Sequence, residues 1–143
     1  MWYTFDMPRG SRPKVAMTPL EIAEFIAAER RAIMCTLGPS GRIHAVPMWF
    51  VPDDDCVVFS AKSKSQKVVN ARRNSRATIL IEAGDSYFEL RGVQMSGVVE
   101  VIDDAATVLG YVGALSARYE EGIDSTRSVA EKARNRSVIR FVP

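Results

Sequence analysis

Residues 32–61 read AIMCTLGPSGRIHAVPMWFVPDDDCVVFSA. Three apolar runs are separated by two turn signals, Gly38-Pro39-Ser40-Gly41 and Pro52-Asp53-Asp54-Asp55. Runs of this length bounded by Gly, Pro and Asp read as strands, the first two as a β-hairpin over 32–37 and 42–51 and the third over 56–61. Pro47 falls inside the second run and removes one ladder donor. That places the backbone at a sheet edge or against something other than a strand, and a ligand is one candidate.

Working towards the N-terminus, Thr18-Pro19-Leu20-Glu21 forms a capping box with proline at the first helical position. It opens a helix through about Arg30, with Ile22, Phe25 and Ile26 at helical spacing. Residues 1–17 carry Arg9, Arg12 and Lys14 among Pro8, Gly10 and Pro13 without periodicity, and read as a basic arm.

Towards the C-terminus, a loop and short helix over 62–75 lead into the strand RATILIE, a turn at Ala83-Gly84-Asp85 and a long strand over 86–102. Gly92 and Gly97 inside that strand suggest bulges or bends, the usual way a sheet curls towards a barrel. Asp103-Asp104 caps a helix through about Arg118, with Leu109, Val112, Leu115 and Tyr119 on one stripe. A helical piece near 126–136 precedes a closing strand, SVIRFV. Five or six strands, mostly in hairpins and with helices at the ends, imply a mainly β chain: a small antiparallel barrel with flanking helices, forming one domain over 18–143.

Composition supports a folded domain. Of 143 residues, 47% are hydrophobic and 25% charged, which excludes disordered and fibrous classes. No run reaches the roughly 18 apolar residues of a membrane span and the first residues carry no apolar signal core, so the expected location is cytoplasmic. One histidine, His44, and two distant cysteines, Cys35 and Cys56, make a metal site unexpected. A net charge of +2 does not suggest a duplex-DNA binder.

No Gly-rich nucleotide motif, nucleophile elbow or hydrolytic triad is present. A chain with no visible nucleophile, base or metal either binds something or lets a cofactor do the chemistry. The strongest local signal is residues 62–76, where Lys62, Lys64, Lys67, Arg72, Arg73 and Arg76 occur without an acid and Ser63 and Ser65 are interleaved. Hydroxyls, lysines and a helix N-terminus after a strand are what a phosphate-binding loop requires. The same stretch also reads as a solvated basic helix. The second signal is Pro47-Met48-Trp49-Phe50, where strand alternation sets Trp49 on the face opposite Met48 and Phe50. Tyr87 and Phe88 form a later ring pair. Apolar walls beside a phosphate loop suit a planar phosphorylated cofactor such as a flavin.

The order GRIHAVPMWFV, VVFSAKSKSQKVVNARRNSRATILIE, YFELRGVQMSGVVEVI resembles the flavin-binding split-barrel superfamily that includes pyridoxamine 5′-phosphate oxidases, over about residues 18–102. Within it the chain is similar to the B-type flavin/deazaflavin oxidoreductases, which use reduced coenzyme F420. The resemblance implies a split antiparallel β-barrel and a homodimer with cofactor sites at the subunit interface. It implies that Ser60 and Lys67 hold the cofactor phosphate, with Lys62, Ser65 and Gln66 in the same loop. It sets the cofactor ring against Val46, Pro47, Met48 and Trp49. In the oxidase branch an arginine stands where Gln66 stands here, and an arginine and a lysine where His44 and Trp49 stand. The segment RSVIRFVP also lacks that branch's Arg-x-His. These departures favour F420 over FMN.

Arg72, Arg73 and the arm cations are expected to meet the acidic tail of F420. The implied reaction is hydride transfer to an electron-poor double bond of an unsaturated ketone, lactone or quinone. Tyr87 and His44 are the candidate proton donors, with water as the alternative. Competing readings are an FMN-dependent oxidoreductase, a cofactor carrier without turnover, and a basic nucleic-acid-binding module.

Overall fold

The computed structural model describes residues 16–119 and 126–143. Helix α1 (Pro19–Ala28) is followed by strands β1 (Ala32–Leu37), β2 (Ile43–Met48), β3 (Val51–Asp53) and β4 (Cys56–Lys62). Then come α2 (Gln66–Arg73), β5 (Arg76–Ala83), β6 (Arg91–Ile102), α3 (Ala105–Arg118), α4 (Val129–Ala133) and β7 (Arg136–Val142). All strand pairs are antiparallel, in the order β2-β1-β5-β6-β7-β4-β3. The sheet curls into a half-barrel with flanking helices, a split-barrel fold. Of the arm expected over 1–17, only Ala16 and Met17 are among the described residues, and Met17 packs against the core.

The expected N-terminal capping box is present: Thr18 Oγ1 accepts from the Glu21 amide at 3.3 Å, and the Glu21 carboxylate accepts from the Thr18 amide at 2.6 Å. Phe25 and Ile26 then bury against the barrel. The core is built from Phe50, Phe59, Phe141, Met34, Ile79 and Ile81, all with no exposed surface. β4 and β7 are covered on both faces, because Val58 and Val138 turn away from the barrel interior to meet Val108 and Val112 of α3. This explains the continuous apolar run CVVF where alternation would otherwise be expected.

Several sequence expectations are corrected. There are seven strands among the described residues rather than five or six, because the run 42–51 breaks at Trp49-Phe50 into β2 and β3. Phe50 is wholly buried and its amide donates to the Tyr119 hydroxyl instead of to a neighbouring strand. The strand expected over 86–102 begins only at Arg91: Ser86–Leu90 folds into a turn whose Glu89 and Leu90 amides both donate to the Ser86 carbonyl. Gly84 permits that turn at φ +108°, where a Cβ would lie 2.4 Å from the Glu89 carbonyl oxygen. The β5–β6 register runs unbroken from Arg76↔Val98 to Ala83↔Arg91, so neither Gly92 nor Gly97 is a bulge. On α3 the buried stripe is Val108, Val112 and Leu115, whereas Leu109 is exposed. Only Asp104 caps that helix, and Asp103 is bonded elsewhere. Pro47 lies on β2, an edge strand, as its missing donor requires. Among the described residues no helix is long and apolar enough to cross a membrane.

Candidate functional site

A cavity of about 420 Å³ opens where the end of β2, the β4–α2 loop, α3, α4 and the start of β7 converge. Its volume falls within the usual range for small-molecule sites. One set of walls is apolar: Pro47, Met48, Trp49, Val112 and Leu115. The other set is cationic, with Lys62, Lys67, Lys132 and Arg136 and, among the described residues, no acidic one.

Each wall is fixed locally. Trp49 stacks on Tyr119, with ring centroids 4.7 Å apart and planes 9° from parallel. Tyr119 is held in turn by its hydroxyl, which accepts from the Phe50 amide (3.1 Å) and lies 2.8 Å from the Arg30 carbonyl and 2.9 Å from the Phe50 carbonyl. The Arg30 guanidinium lies 4.7 Å from the centre of its ring. With Tyr119 buried against one face of the indole, the rest of Trp49 is left to bound the cavity. Helix α3 is fixed to β3 by the Tyr111 hydroxyl, which donates to Asp53 at 2.5 Å. That bond sets Val112, Leu115 and Ser116 over the cavity.

At the cationic side, Ser65 is the N-cap of α2, yet its hydroxyl is buried and makes no hydrogen bond. The helix therefore presents its N-terminal amides without a side-chain cap, and the dipole favours an anion there. Arg136 faces Lys62 across the β4–β7 ladder and donates to the Ser60 carbonyl at 3.3 Å. Burial and the nearby charge of Arg136 pull the Lys67 ammonium below the usual lysine range. Burial, and then the charge of Arg127, likewise lower Arg136. A buried hydroxyl without a partner, an uncapped helix start and mutually repelling cations are together the complement of a phosphate ester.

Seven of the residues singled out from sequence meet here: Pro47, Met48, Trp49, Ser60, Lys62, Ser65 and Lys67. The others do not line the cavity. Val46, on β2, pairs with Met34 of β1. Gln66 is exposed, and its side-chain amide donates to Asn70. Arg72 is bound to Asp103, and Arg73 donates to the Leu37 carbonyl and to Asn70. His44 pairs with Thr36 at the far end of β2, its Nδ1 buried without a partner. Tyr87 is 83% exposed on the β5–β6 turn, edge-on to Phe88. Sequence reasoning missed Val112, Leu115 and Ser116 as cavity residues, together with Lys132 and Arg136. The only local signal for the last two was the basic run before the closing strand.

The sequence profile of the pyridoxamine 5′-phosphate oxidase family matches residues 18–143. The chain belongs to the pyridoxamine 5′-phosphate oxidase family. A conserved hypothetical protein of Mycobacterium tuberculosis is 32% identical, over 92% of this chain and 83% of that one, with a TM-score of 0.82. An F420 reductase is 21% identical, over 84% and 90% of the two chains, with a TM-score of 0.69. A FAD-binding protein from Mesorhizobium loti is 15% identical, over 88% and 89%, with a TM-score of 0.68. At these last two identities the likeness is one of fold. Comparison with curated proteins returns no match. Within the pyridoxamine 5′-phosphate oxidase family, then, this member has a cavity whose donors suit a phosphate and whose apolar walls suit a flat ring.

Proposed function

We propose that the protein is an oxidoreductase that binds coenzyme F420 and reduces an electron-poor double bond of a small unsaturated ketone, lactone or quinone. The observation that carries this reading is the division of one cavity into a cationic side and an apolar side. Lys67, Arg136 and the Ser65 hydroxyl hold the phosphate. Lys62 and Lys132 supply more positive charge than one phosphate requires, which favours a cofactor with a further anionic tail. Arg72 and Arg73 do not line the cavity: Arg72 is paired with Asp103 and Arg73 donates to the Leu37 carbonyl. Arg9, Arg12 and Lys14 lie outside the described residues.

When bound, reduced F420 supplies a hydride to the acceptor. The chain orients both molecules and keeps the apolar side dry, with Pro47 to Trp49 on one wall and Val112 and Leu115 on another. Neither Tyr87 nor His44 lines this cavity, and in this reading the reduced acceptor takes its proton from water entering at the cationic side. Titrating the purified protein with F420 and FMN side by side tests the assignment. Tighter binding of F420 is the expected result; tighter binding of FMN would replace it with a flavin enzyme, and binding of neither would remove the cofactor altogether.

The same reading includes a homodimer. Ile33, Cys35, Leu37, Ile43, Ala45 and Pro47 share the outer face of β1 and β2, continued by Leu80 on β5 and Val98 on β6. Ile43 is 71% exposed and Val98 44%. An apolar face of this kind on a sheet is a candidate association surface, and Pro47 connects it to the cavity. Sedimentation equilibrium is expected to give twice the chain mass for the wild type and a single chain mass for Ile43→Arg. A monomeric wild type would remove the dimer from the proposal.

A further inference from the structure

The segment that presents Ser65 and Lys67 is fastened at both ends to one carboxylate outside the cavity. At its C-terminal end, Arg72 Nη2 donates to both oxygens of Asp103, at 2.9 and 2.8 Å. At the other end, Ser137 Oγ lies 2.6 Å from Asp103 Oδ1 and 2.8 Å from Ser63 Oγ. An ionised carboxylate can only accept, so Ser137 gives its proton to Asp103 and receives that of Ser63. The Ser63 amide also donates to the Asn135 carbonyl at 2.9 Å, laying the loop against the start of β7. Ser137 is completely buried, which makes an acceptor for its hydroxyl obligatory. Asp103 is free for this duty because its neighbour Asp104 alone caps α3, accepting from the amide and hydroxyl of Thr107.

We propose that Asp103 is a positioning residue for the anion site: through Arg72 and the Ser137–Ser63 chain it fixes the loop and helix that aim Ser65 and Lys67 into the cavity. The inference rests on the phosphate reading of that cavity. It also accounts for a basic stretch two of whose arginines do not line the cavity. The hydrogen bonds from Ser137 and Arg72 hold the Asp103 carboxyl below the usual aspartate range, which keeps the clamp charged in mildly acidic solution.

Positioning and bare electrostatics predict opposite signs here. Removing a negative charge near an anion site, and releasing an arginine, should by charge alone tighten anion binding. If the clamp aims the donors, Asp103→Asn instead weakens it, by about three- to tenfold for the loss of one or two hydrogen bonds' worth of alignment. The test is titration with F420 and, separately, FMN, of the wild type, Asp103→Asn, Asp103→Glu, Arg72→Met and the Asp103→Asn/Arg72→Met double variant. Expected are weaker binding for Asp103→Asn, recovery in Asp103→Glu, and a double variant no weaker than its weaker single parent. Asp103→Asn binding as tightly as the wild type, or more tightly, would overturn the proposal. If Asp103→Asn does not fold, Ser63→Ala leaves the ion pair in place and is expected to weaken binding about threefold, the scale of one hydrogen bond. Unchanged affinity there is equally fatal. A different pattern, with Lys67→Ala binding as well as the wild type, would count against the anion site itself rather than against the clamp.

Discussion

Replacing Lys67 by alanine is expected to weaken binding of the phosphorylated cofactor by about 1.5–3 kcal/mol, or roughly ten- to over a hundredfold, the contribution of one charge-assisted contact. Lys67 lines the cavity beside the uncapped start of α2, and its pKa is lowered by burial and by Arg136. A base whose pKa is depressed on folding carries a penalty in its protonated form. The penalty is complete below the folded value and is relieved as pH rises from there to the unfolded value. Lys67→Ala is therefore expected to leave the unliganded protein at least as stable as the wild type, while affinity collapses. An arriving phosphate reverses the shift and restores the proton, so affinity falls as pH rises through the depressed value. In Lys67→Arg the alkaline decline is expected to move to higher pH, since a guanidinium does not titrate in that range. Isothermal titration across the alkaline range and a thermal melt without ligand check both halves. Unaltered affinity in Lys67→Ala would end the assignment of this loop to phosphate.

The legible part of the site was the part written within one continuous segment. Ser65 and Lys67 could be recognised because a strand, a loop and a helix start follow one another within a dozen residues. Pro47 to Trp49 could be recognised because proline inside a strand run is informative by itself. Arg136 could not, since it reaches the loop through a β4–β7 ladder that joins it to Lys62 from 74 positions away. Arg72 and Arg73 lie off the cavity for a related reason. Charge and spacing describe what they could bind, whereas their partners, Asp103 and the Leu37 carbonyl, are chosen by the fold.

The same boundary between local and non-local information runs through the fold. The capping box at Thr18 and the turn at Gly38–Gly41 are local, and both were readable. The strand expected over Ser86–Leu90 was wrong because its apolar rings signal burial by type, while the turn that Gly84 permits leaves Phe88 96% exposed. On α3 the error was confined to the first position of the stripe, since Val112, Leu115 and Tyr119 are buried as expected and Leu109 is exposed. Leu109 and its neighbour Val108 are both apolar, and packing against Val58 and Val138 selects Val108.

Gly97→Val is expected to destabilise the fold by about 2–3 kcal/mol through overpacking. Sequence reading linked this glycine to a bulge, but the β5–β6 register passes through it unbroken, opposite Ala77. Its requirement is space. A Cβ at Gly97 would lie 2.1 Å from the Val142 carbonyl oxygen and 2.8 Å from the Pro143 Cα. Both obstacles are backbone, so rotating a side chain cannot relieve them. β6 hands over at the next residue, because Val98 pairs with Arg76 of β5 and also with Val142 of β7. Relief therefore requires the end of β7 to withdraw from β6, loosening the ladder that runs from Val98↔Val142 to Ile102↔Val138. That ladder carries Ile139 and Phe141 into the core, and Arg136 and Ser137 stand at its far end beside the cavity. A thermal melt is expected to shift down by roughly 6–12 °C for a chain of this size. Gly92→Ala is the control, since its nearest obstacle, the Ile81 carbonyl oxygen, lies at 3.2 Å and yields with a small adjustment. Equal melting temperatures for Gly97→Val and the wild type would show that the handover between β5 and β7 does not depend on the missing side chain.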